Sequence, residues 1–376
     1  MITKDTVALP KSNGTNGFYP DNQNGKPKPK IADILLTQLT DESDVPPVEA
    51  TISVKDGIFA IKGDISFVSG MAKSGKSTIC RYIMATALME TLPEGFDSLG
   101  IRSVYCQGRP IIYIDTEQPK AFTMKAKDEI KKLLRTEQLP SNLHIFNWRH
   151  QAYRQNRDCL EVLFNYYQNS ALWIIDGITD FLGSANDEEK GNELINFFMR
   201  KATELSTTIV LLIHEIQNTG KLRGHLGSEA ERKCGGAISV KKDRETKTHW
   251  IQPKLLRGSG DFDNYAFHYD EAAKGFVSLT DAKTKELRSQ IDKKEGRITE
   301  LRRIAKAVYG DAIRLSRAEL VRGLKANVPQ NPGQGDDAYQ KAISRMIVEM
   351  LDKYNILTLT GEPKDSYKIL PEIVSA

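Results

Sequence analysis

Short apolar runs alternate with amphipathic stretches through the central part of this 376-residue chain. Runs rich in β-branched and other apolar residues, four of them nearly continuous, predict five strands, at residues 65–68, 111–114, 143–146, 172–175 and 208–213. Apolar residues at helical spacing predict helices between them, at residues 77–89, 121–134, 157–167 and 188–205. Continuous apolar strands are typical of parallel sheets that helices cover on both faces. The alternation therefore predicts a doubly wound α/β fold with a mostly parallel sheet.

The pattern changes twice in the second half of the chain. Four more strands, typical of antiparallel hairpins attached to the sheet, are predicted at residues 237–241, 249–254, 265–269 and 275–279. A charged stretch at residues 282–297 predicts a helical or flexible linker. Three helices are predicted next, at residues 298–309, 316–325 and 338–354, and two short strands follow them. This order predicts a small winged-helix domain over residues 298–376, in which Ser316 and Glu319 form a capping box.

The N-terminal segment has a different composition from the rest. Residues 1–30 are rich in Asn, Gly, Pro and Lys, which predicts a disordered tail and leaves residues 31–281 for the α/β domain. The sequence has neither the apolar core of a secretory signal nor an apolar run near the ~20 residues that span a bilayer. Its four cysteines are far apart and form no CxxC pair, which suits reduced thiols. We therefore expect a cytoplasmic protein that does not associate with membranes.

Charge is distributed unevenly along the chain. Residues 282–376 contain 18 Lys and Arg against 13 Asp and Glu, whereas the remainder contains 35 against 36. A basic C-terminal part on a neutral domain indicates a nucleic-acid partner, although a solvated helical surface would give a similar count.

The first predicted strand runs into a glycine-containing loop that indicates nucleotide binding. The segment from Gly70 to Ser77 matches G-x-x-x-x-G-K-[ST] and lies between a predicted strand and a predicted helix, as a phosphate-binding loop requires. In such a loop, backbone N–H groups and the helix N-terminus bind phosphate. We expect Lys76 to reach the terminal phosphates of ATP and Ser77 to bind Mg²⁺. The predicted cofactor-binding residues are Gly70, Met71, Ala72, Lys73, Ser74, Gly75, Lys76, Ser77 and Thr78.

Carboxylates at two strand ends extend this prediction towards ATP hydrolysis. Asp176 ends the run LWIID, where it can hold the Mg²⁺ water shell, and Asp180 is the alternative. Glu117 follows the run IIYID, where it can orient or deprotonate the attacking water. Asp115 and Thr116 compete with Glu117 for that role.

Three more polar residues follow the fifth predicted strand. His214 follows this strand directly and can sense the γ-phosphate, or it can be an ordinary hydrogen-bonded group at a strand end. Lys221 and Arg223 lie among glycines in the next loop, where they can reach a nucleotide bound by a neighbouring subunit and stabilise transition-state charge. The alternative for this pair is a solvated basic loop. The candidate catalytic residues are thus Lys76, Glu117, His214, Lys221 and Arg223.

Together, the segments GMAKSGKST, YIDTEQ, LWIIDGITD, LLIHE and KLRGHLGSE resemble the RecA-like P-loop ATPases of the RepA-type hexameric helicase family, in particular those of Bacteroidetes plasmids and mobile elements. The resemblance covers roughly residues 45–280. It implies strand order 5-1-4-3-2, a ring that is commonly a hexamer, and ATP at subunit interfaces. It also implies Glu117 as the catalytic base, Asp176 as the magnesium-associated aspartate, and Lys221 and Arg223 as fingers acting across the interface. Relatives often carry Gln or Asn after the strand-end histidine, where this chain has Glu215.

These features predict an ATP-driven motor on single-stranded DNA, a replicative helicase of a plasmid, phage or mobile element with a possible primase or replication-initiator partner. One alternative is a DNA-stimulated ATPase that acts as a recombination mediator or helicase loader without unwinding. Another is a nucleotide-switched regulatory or assembly module, since many winged helices bind protein. A dehydrogenase is excluded because the loop is not G-x-G-x-x-G. A small-molecule kinase fits the loop alone but does not need Glu117, His214 and the basic loop together.

Overall fold

The computed structural model describes residues 30–35, 37–39, 47–216, 220–360 and 366–370. The chain divides into two compact units, Met1–Val48 and Glu49–Ala376. In the first unit, Ile31–Leu35 forms the short helix α1. Apart from Lys30, the predicted tail at residues 1–30 lies outside the described residues.

The second unit contains the predicted alternation of strands and helices. Its strands are β1 (Ala50–Val54), β2 (Gly57–Ile61), β3 (Ile65–Gly70), β4 (Ile101–Ser103), β5 (Ile111–Asp115), β6 (Leu143–Asn147), β7 (Leu172–Asp176), β8 (Thr208–His214), β9 (Gly236–Lys242), β10 (His249–Leu256), β11 (Tyr265–Asp270), β12 (Gly275–Ser278), β13 (Leu315–Ser316), β14 (Leu357–Thr360) and β15 (Ser366–Ile369). Its helices are α2 (Lys76–Leu88), α3 (Lys120–Leu134), α4 (Tyr153–Tyr166), α5 (Glu188–Leu205), α6 (Gly224–Lys233), α7 (Asp281–Tyr309), α8 (Arg317–Asn327) and α9 (Asp336–Val348).

Within the described residues, nine strands form the central sheet in the order β12-β11-β10-β9-β3-β8-β7-β5-β6. The six strands from β9 to β6 are parallel, and β10, β11 and β12 are antiparallel. The prediction of an α/β fold with a mostly parallel sheet is therefore confirmed. β9 differs from its predicted hairpin role, because it pairs in parallel with β3 on one side and antiparallel with β10 on the other.

The expected strand order 5-1-4-3-2 is observed when β3, β5, β7, β8 and β9 are numbered 1 to 5, because these strands lie side by side in the order β9-β3-β8-β7-β5. Beyond β5 the sheet is extended by β6, one of the five predicted strands, which lies at the edge and is only partly buried. Composition shows that the continuous apolar strands are buried, but it does not show which strands are neighbours. The observed order pairs Gly70 at the end of β3 directly with His214 at the end of β8.

Alternating side chains of the parallel strands fill two apolar layers, one on each face of the sheet. Val68 and Val210 belong to the layer that includes Ile83 of α2. Their neighbours Phe67 and Leu211 belong to the other layer, with residues of α4 and α5. Burial on both faces holds the strands in register, so that the polar residues at their carboxyl ends meet at one edge.

The C-terminal part has its own apolar core, formed by residues of α7, α8, α9 and a three-stranded sheet of order β13-β15-β14. The predicted linker at residues 282–297 and the predicted helix at 298–309 are one continuous helix, α7. The third predicted helix is shorter than expected, because α9 ends at Val348 and the π-helical turn Glu349–Lys353 follows. The capping box of Ser316 and Glu319 at the start of α8 is confirmed.

Among the described residues, no helix is both long enough and apolar enough to cross a membrane.

Candidate nucleotide-binding site

The glycine loop, residues Gly70–Thr78, connects the end of β3 to the first turn of α2. Close packing requires glycine at its start, because a Cβ on Gly70 would lie 2.2 Å from the Val240 carbonyl oxygen. Ser74 N–H donates to Met71 O at 3.2 Å and tightens the turn. Within the described residues, six N–H groups between Ala72 and Thr78 make no hydrogen bond, namely those of Ala72, Lys73, Gly75, Lys76, Ser77 and Thr78. Unpaired N–H donors in a glycine loop and at a helix N-terminus are suited to binding phosphate.

Lys76 lies under this loop and is 7 % exposed. Its ammonium donates to Gly70 O and Met71 O, both at 3.0 Å, and lies 3.3 Å from His214 Nδ1. Burial lowers the pKa of Lys76, while the negative charges of Asp176 and Glu117 act in the opposite direction. The ammonium is thus held by three acceptors that a phosphate group can replace.

Ser77 and Asp176 meet at the mouth of the loop. Ser77 Oγ donates to Asp176 Oδ2 at 2.7 Å, and Tyr113 OH donates to the same oxygen at 2.9 Å. Asp176 is 3 % exposed, and burial raises its pKa to about 6 despite these hydrogen bonds. Within the described residues, Asp176 Oδ1 makes no hydrogen bond. A hydroxyl and a carboxylate in contact are oxygen donors of the kind that Mg²⁺ binds, directly or through water.

Glu117 and His214 form the other side of the site. His214 Nε2 lies 3.1 Å from Glu117 Oε1 and 3.2 Å from Oε2. Because the ammonium of Lys76 can only donate, His214 Nδ1 accepts its hydrogen bond, so we assign the proton to Nε2. The hydrogen bond from His214 lowers the pKa of Glu117, and the positive charge of Lys76 contributes. The three side chains thus form a hydrogen-bonded series from the ammonium of Lys76 through the imidazole of His214 to the carboxylate of Glu117.

The competing residues have other contacts. Asp115 is buried and accepts hydrogen bonds from the N–H groups of Glu117 and Gln118 and from the hydroxyl of Thr123. Asp180 accepts from Thr116 Oγ1 at 2.8 Å. These contacts fix the turns that follow β5 and β7, and they leave Glu117 and Asp176 as the carboxylates beside Lys76 and Ser77.

Lys221 and Arg223 are exposed and lie outside this cluster. Residues 217–219 of their loop are outside the described residues. Arg223 N–H donates to His214 O at 3.0 Å, which anchors the backbone of the loop to the end of β8. Among the described residues, the side chain of Arg223 makes no hydrogen bond or ion pair with Lys76, Asp176 or Glu117.

Two contacts at the site were not predicted from the sequence. Tyr113 reads as an ordinary apolar strand residue, and only its position on β5 beside β7 reveals its hydrogen bond to Asp176. Glu215 accepts from Ser69 Oγ at 2.7 Å and lies 3.7 Å from Lys254 Nζ. The residue that departs from the RepA-type pattern is thus buried against β3, next to the glycine loop.

Comparison with protein-family models and with curated proteins gives no match for this chain. Its function is therefore inferred from the motifs and from the geometry of the site.

Proposed function

We propose that this protein is a RecA-like P-loop ATPase that hydrolyses ATP with Mg²⁺ and acts on single-stranded DNA. One observation carries the proposal: the contact of Ser77 with Asp176 lies at the mouth of a loop with six unpaired N–H groups. Hydrogen-bond donors for phosphate, a pair of cation ligands and a lysine are combined there as nucleoside triphosphate hydrolysis requires.

The chain's own residues account for the main steps. Loop N–H groups and Lys76 bind the phosphates, and Lys76 exchanges its carbonyl acceptors for phosphate oxygens. Ser77 and Asp176 would hold Mg²⁺, which would supply neutralisation of the negative charge of the phosphates. Glu117 takes a proton from the attacking water as its oxygen bonds to the γ-phosphorus, and the bond to the ADP oxygen breaks. His214 positions Glu117 through its Nε2–H.

The nucleic-acid part of the proposal rests on the C-terminal region. Its order of helix, strand, two helices and two strands suits a winged helix. Gln340, Lys341 and Arg345 are exposed on α9, while Ile343 and Ile347 are buried. Exposed basic residues on a helix favour phosphate contacts, and these give salt-dependent DNA binding. Assembly into a ring, with Lys221 and Arg223 facing a neighbouring nucleotide, belongs to the same proposal.

ATP turnover of wild type and of Lys76→Ala tests the hydrolysis. We expect Lys76→Ala to abolish turnover while urea unfolding shows a folded protein, because the loop carbonyls can be hydrated. The control Lys125→Ala removes an exposed lysine of α3 and should retain wild-type turnover. Turnover by Lys76→Ala at the wild-type rate would refute the site.

The DNA substrate is tested separately. Single-stranded DNA should increase ATP turnover, and a forked substrate should be unwound if the protein is a helicase. Stimulation without strand displacement would favour the mediator or loader, and turnover unaffected by DNA would favour the regulatory module.

A further inference from the structure

His249, the first residue of β10, lies behind the glycine loop although it is 175 positions from Ser74. Its Nδ1 atom lies 2.6 Å from the Ser74 carbonyl oxygen, and its side chain is 5 % exposed. The ring stacks on Phe267 with centroids 5.1 Å apart and meets the edge of Phe276 at 5.5 Å. Aromatic contacts on two sides fix the imidazole in place.

The direction of this hydrogen bond follows from its acceptor. A carbonyl oxygen cannot donate, so Nδ1 of His249 carries the proton. Burial also lowers the pKa of His249, which favours the neutral ring. His249 is therefore a neutral Nδ1–H donor to the backbone of the loop.

This contact determines where one unpaired N–H group points. The Ser74 carbonyl and the Gly75 N–H belong to the same planar trans peptide and point in opposite directions. With the carbonyl turned towards His249, the Gly75 N–H is directed away from it, and it is one of the six unpaired donors. Gly75 has φ 109°, and a Cβ there would lie 2.8 Å from His249 Nδ1. Glycine at 75 and histidine at 249 thus fit each other sterically.

We propose that His249 is a positioning residue for phosphate binding, because its Nδ1–H holds the Ser74–Gly75 peptide with the Gly75 N–H facing the β-phosphate of the nucleotide. This inference rests on the proposed ATPase function. His249 does not touch the nucleotide but acts through one peptide group.

The variants His249→Asn and His249→Leu separate positioning from packing. Both remove the ring and are similar in size, but Asn retains an N–H close to the position of Nδ1. Asn also buries an amide oxygen among phenylalanines, so it should be the less stable variant in urea unfolding. If His249 acts only through packing, the His249→Leu variant should bind nucleotide more tightly. If His249 positions the loop peptide, the His249→Asn variant should bind nucleotide more tightly.

Calorimetric titration with Mg²⁺ and ADP is the measurement. We expect His249→Leu to bind ADP about 3- to 10-fold more weakly than His249→Asn, as loss of one hydrogen bond requires. In ¹⁵N-labelled protein, the shift of the Gly75 amide resonance on adding ADP should persist in the His249→Asn variant and become smaller in the His249→Leu variant.

The outcomes are distinct. Equal ADP affinity of the two variants, or tighter binding by Leu, would overturn the inference. If Asn does not fold, a wild-type Gly75 shift in His249→Leu would also overturn it, and a reduced shift would support it. Failure of the wild type to bind ADP would instead refute the proposed function.

Discussion

Replacing Asp176 by asparagine should stabilise the protein in the absence of nucleotide and magnesium. Burial raises the pKa of Asp176 from 3.8 to about 6, so the native state retains a proton that the unfolded chain releases between these values. The contribution of Asp176 to stability is therefore fully present below about pH 4 and is lost as the pH rises through about 6. At about 1.4 kcal/mol per pKa unit, the ionised carboxylate costs about 3 kcal/mol above pH 7.

Asparagine removes this cost and keeps an oxygen that accepts from Ser77 and Tyr113. We expect Asp176→Asn to raise the free energy of unfolding by about 3 kcal/mol near pH 7.5, and by much less near pH 4. Urea unfolding with a chelator present measures both values. The variant should have lost ATP hydrolysis, since it lacks the charge that holds Mg²⁺.

Asp261→Asn provides a control, because it removes an exposed carboxylate. It should change the free energy of unfolding little at either pH. Mg²⁺ with ADP should stabilise the wild type more than Asp176→Asn, because only the wild type has the anionic ligand. A variant that is no more stable than wild type near pH 7.5, or equally stabilised at both pH values, would refute the argument.

Three other predictions concern the second carboxylate, the basic loop and the C-terminal region. Glu117→Gln should still bind ATP, since Gln can accept from His214 Nε2, but turnover should fall roughly 100-fold or more; turnover close to wild type in a steady-state assay would exclude Glu117 as the base. Arg223→Ala should lose ATP turnover, and it should recover part of it when mixed with Glu117→Gln subunits if Arg223 acts across an interface. No recovery, with both variants folded and assembled, would argue against that role. Ser316→Ala should lower the free energy of unfolding of the C-terminal part by about 1 kcal/mol, because it removes the capping box; an unchanged urea midpoint would contradict this.

Much of the site was predictable because its residues occur in local patterns. Lys76 and Ser77 follow Gly75 directly, and Asp176 and His214 are the last residues of continuous apolar runs. Parallel strands bring their carboxyl ends to one edge, so these residues lie at the same edge in any order of the strands. The positions of the helices and strands were predictable for a similar reason, because the periodicity of apolar residues is also a local pattern.

The strand order was expected only from the resemblance, and the supporting contacts were not predictable from the residue pattern. The neighbours of β8 depend on how helices cross over the sheet, which the composition of the strand does not encode. The hydrogen bond of His249 to Ser74 needs the register of β10 on β9 and of β9 on β3. The choice between Asp115 and Glu117 required the observation that Thr123 and two backbone N–H groups already bind Asp115.

The unbroken 29-residue helix α7 has a mechanical consequence. At about 1.5 Å per residue it is about 43 Å long, and Lys55 pairs with Asp281 at its first turn. A rod of this length amplifies angular motion, because a tilt of roughly 5° at its base moves its far end by about 4 Å. Small rearrangements near β1 would thus reach the C-terminal core, to which the far end of α7 belongs, as displacements larger than the length of a hydrogen bond.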